Sequence, residues 1–178
     1  MGVSPPPTDP RTDTDLIATY LRGEVRAFEA IYERHKDFAA RTARRFARDE
    51  SEAMDAFQEA FTRLVNHAPR LRMTAKLSTW LYPVIRNIVA ERRRKERGLR
   101  LVGGEADLDR AGPAVADVQP VDTDDLRHRL ARLPDDQREV VLLRVVEEMS
   151  VEEVSIALGI PEGTVKSRLH HALKTMET

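Results

Sequence analysis

The last helical stretch of this 178-residue sequence carries side chains that can bind both phosphates and the edges of bases. Hydroxyl, imidazole, ammonium and guanidinium groups lie along it, and we expect Val165, Leu169 and Leu173 to point inward on the opposite face. Such donors are the usual ligands of the DNA backbone and of the major groove. The candidate residues are Thr164, Lys166, Ser167, Arg168, His170, His171 and Lys174. The pattern favours a DNA-binding helix, and the alternative is an ordinary helical bundle with a solvated basic face.

A shorter helix is predicted just before this one. Ser150 and Glu153 have the spacing of a capping box. Gly159 suits the left-handed position at which a helix ends. Two helices joined by so tight a turn are typical of a helix-turn-helix unit.

Aromatic rings and cations stand close together in the middle of the chain. Trp80 and Tyr82 lie near Arg72, Lys76 and Arg86, and residues 86–100 hold seven basic side chains against two acidic ones. Rings that stack on unpaired bases, with cations for the phosphates, are typical of proteins that bind single strands. The alternative is that Trp80 belongs to the core and that the basic run is a solvated helix end.

Three polar residues share one face of an earlier helix, at positions 0, 3 and 4. They are Asp55, Gln58 and Glu59. Paired carboxylates can serve acid–base catalysis or bind a metal, but no histidine or third acid stands at ligand spacing. We therefore expect a solvated face or a protein-docking face, exposed and without ion pairs inside the chain.

Composition excludes several function classes. Without cysteine there is no disulfide, no thiolate zinc site and no thiol nucleophile. The five histidines form no metal pattern, and neither a phosphate-binding glycine loop nor a Ser-His-Asp arrangement is present. We therefore expect no catalytic residue, no metal and no cofactor. No apolar run approaches the roughly 20 residues of a membrane span, and the N-terminus does not resemble a signal peptide.

The elements that hold these residues are predicted to be helices throughout. Apolar residues recur at helical spacing and no stretch alternates as a strand does, which indicates an all-α fold. Asp15, Ser51 and Ser78 are the expected N-caps of the first, third and fourth helices. Pro83 should kink the fourth helix or delay its start.

Composition also divides the chain. Residues 98–122 are rich in glycine and proline, and residues 103–125 hold seven acids against one base. These features predict a flexible acidic linker. It would join two small helical domains, residues 15–97 and 123–178, after a disordered N-terminus at 1–14.

Taken in order, these motifs resemble those of the extracytoplasmic function (ECF) sigma factors of the sigma-70 family, which direct bacterial RNA polymerase to promoters. The matching stretches are 15–47, 55–61, 78–87, 133–141 and 160–169. Together they lie in the family's order across nearly all of residues 15–176. The short acidic linker, in place of an extra domain, also fits the ECF group.

The resemblance implies a role for each half of the chain. The first, sigma region 2, would dock on the clamp helices of the largest polymerase subunit through Asp55, Gln58, Glu59 and Phe61. It would hold the opened −10 element through Arg72, Lys76, Trp80, Arg86, Asn87, Arg93 and Arg94. The second, sigma region 4, would read the −35 element with the seven residues of the last helix and lie near the polymerase flap.

The same resemblance implies the partners and the location. They are core RNA polymerase, double- and single-stranded promoter DNA, and an anti-sigma factor. The chain would be a cytoplasmic bacterial protein without membrane insertion, held at the membrane where the anti-sigma factor is membrane-linked. From the residues alone two other functions stay open, a dimeric helix-turn-helix regulator that does not need Trp80 and a helical nuclease.

Overall fold

The described part of the chain is built from helices. The computed structural model describes residues 9–73, 76–101 and 123–176, with residues 99–101, 123–125 and 127 described as backbone only. The helices are α1 (Asp13–Leu21), α2 (Val25–Phe46), α3 (Glu50–His67), α4 (Leu77–Leu101), α5 (Thr123–Arg132), α6 (Asp135–Val141), α7 (Val151–Leu158) and α8 (Glu162–Met176). A 3-10 turn, Ala68–Arg70, follows α3, and a π-helical segment, Leu142–Val146, follows α6. These residues contain no strand, so the predicted all-α class is confirmed.

The predicted linker lies outside the described residues, apart from the end of α4, which continues past Gly98 to Leu101. Most of the predicted N-terminal disordered segment lies outside them as well. Its last residues are described, and α1 already begins at Asp13.

Helix α2 is the centre of the N-terminal half, and α1, α3 and α4 all pack against it. The largest fully buried side chains here are Leu16, Ile31, Leu64, Leu77, Leu81, Tyr82, Ile85 and Ile88. Burying one large apolar side chain contributes roughly 1.5–3 kcal/mol, more than an exposed ion pair does. Apolar packing, rather than the many surface charges, therefore holds these four helices together.

The C-terminal half has a smaller core of its own. Leu130 and Leu133 pack with Val141, Leu142 and Ala172, which joins α5, α6 and α8. Helix α7 packs against α8. This core supports α8 from the side that faces away from its polar residues.

The two halves also touch each other. Helix α7 lies against α4. Val140, Leu143, Met149 and Val154 of the C-terminal half belong to the same apolar cluster as the core of the N-terminal half. The helices that carry the two candidate DNA-binding surfaces are therefore parts of one packed body.

Two predicted N-caps are wrong by a few positions. Thr12 caps α1, because its hydroxyl accepts the N–H of Asp15 at 3.1 Å and the Asp15 carboxylate accepts the N–H of Thr12 at 3.3 Å. Asp49, not Ser51, caps α3 and accepts the N–H of Glu52 at 2.8 Å. Several capping residue types stand side by side at both places, so residue type alone does not choose among them.

Helix α4 begins one residue before the predicted cap, Ser78, which therefore lies inside it. Pro83 also lies inside the helix and does not delay its start. The proline removes one backbone donor from the helix. The other helical hydrogen bonds and the buried residues Leu81, Tyr82 and Ile85 keep this segment helical.

The inward face of α8 is turned slightly from the prediction. Leu173 is 45% exposed, whereas Ala172 is fully buried beneath the helix. At 3.6 residues per turn, position 172 lies about 20° from Val165 around the axis and position 173 about 80°. The larger apolar side chain, Leu173, was expected to be buried, but the rotation of the helix places Ala172 against the core instead.

Candidate nucleic-acid interface

The turn between α7 and α8 is fixed by side-chain and backbone hydrogen bonds. Ser150 accepts the N–H of Glu153 at 3.0 Å, and the Glu153 carboxylate accepts the N–H of Ser150 at 2.7 Å. Gly159 ends α7 with φ of 65°, and the Ser155 hydroxyl donates to the carbonyl of Ile160 at 2.6 Å. The predicted capping box and left-handed glycine are confirmed, and together they set how α8 leaves the turn.

The outer face of α8 is open to solvent. Its exposed members are Lys166, Ser167, His170, His171 and Lys174, while Thr164 and Arg168 are half-buried. Ser167 and His171 lie one turn apart, with the hydroxyl 3.4 Å from the imidazole Nδ1. The two side chains therefore form a single polar patch at the middle of the helix.

Two cations of α8 have carboxylate neighbours. The Arg168 guanidinium lies 3.1 Å from Asp136 of α6, and Lys166 lies 3.4 Å from Glu162 one turn earlier. Exposed pairs of this kind are worth about 0–1 kcal/mol. These two ion pairs orient the side chains. Because each pair is weak, replacing the carboxylate by a DNA phosphate would cost little free energy.

The start of α4 and the loop before it form the second candidate surface. Its exposed members are Arg72, Lys76, Arg86, Asn87 and Arg94. Trp80 is half-buried, packs against the core cluster and has its ring 6.1 Å from that of His67. One part of the indole therefore packs on the core, and the remainder is open to solvent.

Arg93 differs from the other predicted members of this surface. Its side chain is 17% exposed, its guanidinium donates to the carbonyl of Phe46, and its Nε lies 3.8 Å from Glu52. The arginine thus connects α4 to the end of α2. The basic run of the sequence gives no sign that Arg93 differs from its neighbouring arginines, because its partners, Phe46 and Glu52, lie on or beside other helices.

Two cations of the same surface lie against glutamates of the C-terminal half. Lys76 Nζ is 3.3 Å from Glu153, and Arg86 Nη1 is 3.5 Å from Glu139. These pairs span more than fifty residues of sequence, and the motifs give no indication of them.

The expectation that the acidic face of α3 lacks ion pairs is wrong. Asp55 is exposed but accepts from Arg92 at 2.7 Å, and Glu59 accepts from Arg92 at 3.0 Å and from Arg63 at 2.6 Å. Burial by itself would raise the pKa of Glu59, but the hydrogen bonds from Arg63 and Arg92 outweigh it and leave the pKa below its ordinary value. Gln58 is exposed.

Phe61, predicted beside these polar residues, is only 6% exposed. Its ring packs 5.1 Å from that of Phe57 and 5.0 Å from that of Tyr32. A shallow groove between α2 and α3 is lined by Tyr32, Phe57 and Met54, and Met54 is 46% exposed. The polar motif in the sequence did not include this apolar strip, which runs alongside Asp55.

The buried histidine of α2 has a structural partner. His35 Nε2 lies 3.0 Å from Asp13, which also accepts from Arg34 at 2.6 Å and from the N–H of Leu77 at 3.2 Å. This carboxylate therefore joins α1, α2 and the start of α4. Across the part of the chain that the structure describes, no group of three or more His, Asp or Glu residues could hold a metal ion.

A helix-turn-helix with a polar outer face, together with a cation-rich helix that exposes part of a tryptophan, defines a helical DNA-binding protein. Residues 31–98 match the family described as Sigma-70 region 2, and residues 123–176 match the family described as Sigma-70, region 4. Each match covers one half of the structure.

Curated relatives extend over most of the chain. The ECF RNA polymerase sigma factor SigW of Bacillus subtilis is 31% identical over 172 residues, which cover 90% of this chain and 92% of SigW. The ECF RNA polymerase sigma factor SigM of Mycobacterium tuberculosis is 31% identical over 163 residues, which cover 91% and 81% of the two chains. The chain therefore belongs to the ECF group of the sigma-70 family, and its function is promoter recognition in transcription initiation.

Solved structures share the fold. CnrH, in complex with the cytosolic domain of CnrY, superposes with a TM-score of 0.64 at 23% identity and covers 93% of this chain and 94% of its own. The sigma factor RpoE of Bartonella quintana, in complex with the anti-sigma factor NepR, gives 0.61 at 22% identity, with 84% and 94% coverage. Among the described helices of this chain, none combines the length and apolarity needed to cross a membrane.

Proposed function

We propose that this chain holds the −35 element as duplex on α8 and the opened −10 element on α4, while α3 docks on core RNA polymerase. The proposed units are residues 15–97 and 123–178, joined by residues 98–122. The observation that carries the proposal is the exposed patch of Ser167 and His171, one turn apart on a helix whose entry angle is fixed by the capped turn.

On α8 the proposed work divides by side-chain type. Ser167 and His171 lie at the middle of the exposed face and are placed to reach base edges, with Thr164 and His170 beside them. The cations flank this patch and suit phosphates, which position the helix without reading sequence. They are Lys166, Arg168 and Lys174.

On α4 the proposed mechanism is capture of a single strand. The exposed part of Trp80 would stack on an unpaired base, and Arg72, Lys76, Arg86 and Asn87 would hold the strand around it. Because such a surface binds unstacked bases better than paired ones, it selects the open promoter. No covalent bond is made or broken in this scheme, so we propose that the chain itself is not an enzyme.

The proposed docking face on α3 combines charge with apolar surface. Asp55 and Gln58 are exposed and Met54 adds an apolar edge, so these three would contact the clamp helices of the polymerase. Glu59 and Phe61 would support the face from within the fold. The C-terminal half would lie near the polymerase flap.

An anti-sigma factor is the third proposed partner. RpoE of Bartonella quintana, which shares this fold, is known in complex with the anti-sigma factor NepR, and CnrH in complex with the cytosolic domain of CnrY. The proposed location is the bacterial cytoplasm, where the polymerase works, with membrane retention only where the anti-sigma factor is itself membrane-linked.

Run-off transcription on fragmented genomic DNA tests the proposal. Core polymerase with the wild-type chain should give discrete transcripts whose mapped start sites share a −35 and a −10 sequence. Core polymerase alone is the control. Transcripts identical to those of core alone would contradict the proposed function.

A further inference from the structure

His67, the last residue of α3, lies beside the tryptophan of the proposed −10 surface. Its ring centroid is 6.1 Å from that of Trp80, and the two ring planes are tilted by 50°. Rings that stack on each other lie in nearly parallel planes, so the imidazole is not stacked on the indole. His67 is exposed and Trp80 is half-buried. A base that stacks on the open part of the indole would therefore have the imidazole near its edge.

The hydrogen bond between His67 and its own helix decides which ring nitrogen carries the proton. Nδ1 lies 3.1 Å from the main-chain carbonyl of Arg63, one turn earlier. A carbonyl oxygen only accepts, so the Nδ1–H of His67 donates. In the neutral imidazole the other nitrogen, Nε2, then has no proton and keeps a lone pair that accepts a hydrogen bond.

The lone pair on Nε2 has no partner within the described part of the protein. Among the residues that the structure describes, none is hydrogen-bonded or ion-paired to Nε2 of His67. The cation one turn earlier, Arg63, lies 2.6 Å from Glu59 and 2.8 Å from Glu91. The imidazole, rather than this guanidinium, is therefore the polar group of α3 that is available beside the indole.

The place of His67 at the end of α3 also has a structural explanation. A histidine in the last turn of a helix can bind the carbonyls that the helix end leaves without partners. That role uses Nδ1 alone and does not require a tryptophan nearby. A test of function must therefore address Nε2 and the choice of base, and not only stability.

A hydrogen-bond acceptor beside a stacked base distinguishes the bases by their amino groups. Adenine, cytosine and guanine each carry an exocyclic amino group that donates. Thymine has no amino group and presents carbonyl oxygens on both sides of its one ring N–H. Because these oxygens and Nε2 are all acceptors, thymine would be disfavoured at this place.

We propose that His67 is a specificity-determining residue of the −10 surface. Its Nε2 accepts a hydrogen bond from the exocyclic amino group of the unpaired base that stacks on Trp80, so a base with this group is favoured over thymine at one position. The proposal rests on the proposed −10 role of Trp80. Stacking supplies affinity with little regard to sequence, and the imidazole adds the choice of base.

Single-strand binding measures this choice directly. The probes are labelled strands carrying the −10 sequence mapped by run-off transcription, with each position in turn changed to every other base. Fluorescence anisotropy with the full chain bound to core polymerase gives the affinities. Wild type should prefer an amino-bearing base over thymine about fivefold at one position, which is the effect of one hydrogen bond. His67→Phe keeps a ring but removes both nitrogens, and should abolish this preference.

Deletion of the amino group from the DNA supplies the second half of the test. At the selective position, purine replaces adenine, pyrimidinone replaces cytosine, or hypoxanthine replaces guanine. This change should weaken binding about fivefold with wild type and should have no effect with His67→Phe, because the two groups form one hydrogen bond. Asn66→Ala is the matched control, since Asn66 is the exposed neighbour on α3 and should keep the wild-type preference. A purely structural role of His67 would instead lower affinity for all strands alike.

Two results would overturn the proposal. One is a His67→Phe chain that keeps the wild-type order of preference at every position. The other is a wild-type chain that binds strands with and without the amino group equally well. Trp80→Ala separates the premises. If it leaves single-strand affinity unchanged, the −10 role of Trp80 fails and the proposal with it, whereas weaker binding with an unaltered preference in His67→Phe removes only the assignment of His67.

Discussion

At the scale of single residues, the proposed −35 helix, α8, is expected to make two kinds of contact with DNA. Arg168 lies at the flank of the exposed face beside Asp136, and His171 lies at its middle beside Ser167. A phosphate contact strengthens binding to every sequence, whereas a base contact changes the order of preference. Substitution of each residue should therefore give a different signature.

Arg168→Ala should weaken binding to all duplexes alike. It should also lower the slope of log K against log salt concentration by about one unit, which corresponds to one lost phosphate contact. His171→Ala should instead relax the preference at one base pair, at a cost of roughly 1–3 kcal/mol. Fluorescence anisotropy over a panel of −35 duplexes, at several salt concentrations, measures both effects. A His171→Ala variant that keeps the wild-type order of preference would remove this residue from base reading.

Asp13 gives a prediction on stability and pH. Burial would raise the pKa of Asp13, but the contacts with His35, Arg34 and the N–H of Leu77 prevail and lower it below 3.8. A lowered pKa means that the contribution of the ionised group is complete above pH 3.8 and is lost as the pH falls from there towards the lowered value.

Asp13→Asn should therefore cost about 1–3 kcal/mol of unfolding free energy at neutral pH. The difference from wild type should shrink once the pH falls below about 3.8, because the unfolded wild-type chain then takes up a proton at Asp13 while the folded chain still holds the charge. Urea titrations at a series of pH values measure it. A difference that stays constant down to the lowest pH would contradict this assignment of the charge.

At the scale of elements, the turn between α7 and α8 was predicted well because its signals are local. Ser150, Glu153 and Gly159 interact within a few residues, so their spacing determines the geometry. The buried face of α8 was predicted less well, since large residues compete for the core and the rotation of the helix decides between Ala172 and Leu173.

Gly159→Ala should cost about 1–2 kcal/mol, because an L-residue is strained in the left-handed conformation. No atom lies within 4 Å of the added Cβ, so the cost comes from the backbone and not from a clash. Thermal melting measures the loss. Gly163→Ala is the control, because Gly163 also has open space but no positive φ. Equal melting temperatures for the two variants would show that the turn relaxes freely.

The acidic face of α3 shows the limit of local patterns. The sequence placed Asp55, Gln58 and Glu59 on one face correctly, but it did not reveal that Arg92 of α4 pairs with two of them. Partners more than thirty residues away have no periodic signature. For the same reason the exposed Met54 and the groove beside it were not predicted.

Asp55→Lys should weaken binding to core polymerase about tenfold or more, because it reverses a charge at the proposed interface and also meets Arg92. Glu29→Lys is the control with the same change in charge, because Glu29 is an exposed residue of α2 outside the proposed docking face. Competition against a labelled wild-type chain measures both affinities. Equal affinities for the two variants would remove Asp55 from the docking face.

At the scale of the whole molecule, the two halves were predicted from composition, and each is matched by its own sigma-70 region. Their contact was not predicted. It depends on Glu139, Glu147 and Glu153, whose partners lie on α2, on α4 and in the loop before α4. Each partner is more than fifty residues away in sequence, so no local pattern indicates the contact.

The central claim is that the exposed part of Trp80 captures an unpaired base while α8 holds the −35 duplex. Permanganate reactivity of −10 thymines in a complex of promoter, core polymerase and this chain tests it most directly. Wild type should make these thymines reactive. Trp80→Ala should reduce the open fraction by a stacking contribution of roughly 1–3 kcal/mol, with −35 duplex binding near wild type. The melting temperature should fall, because part of the indole packs against the core, but the chain should stay folded at the assay temperature. Full thymine reactivity with Trp80→Ala, or an effect fully explained by lost stability, would contradict the account.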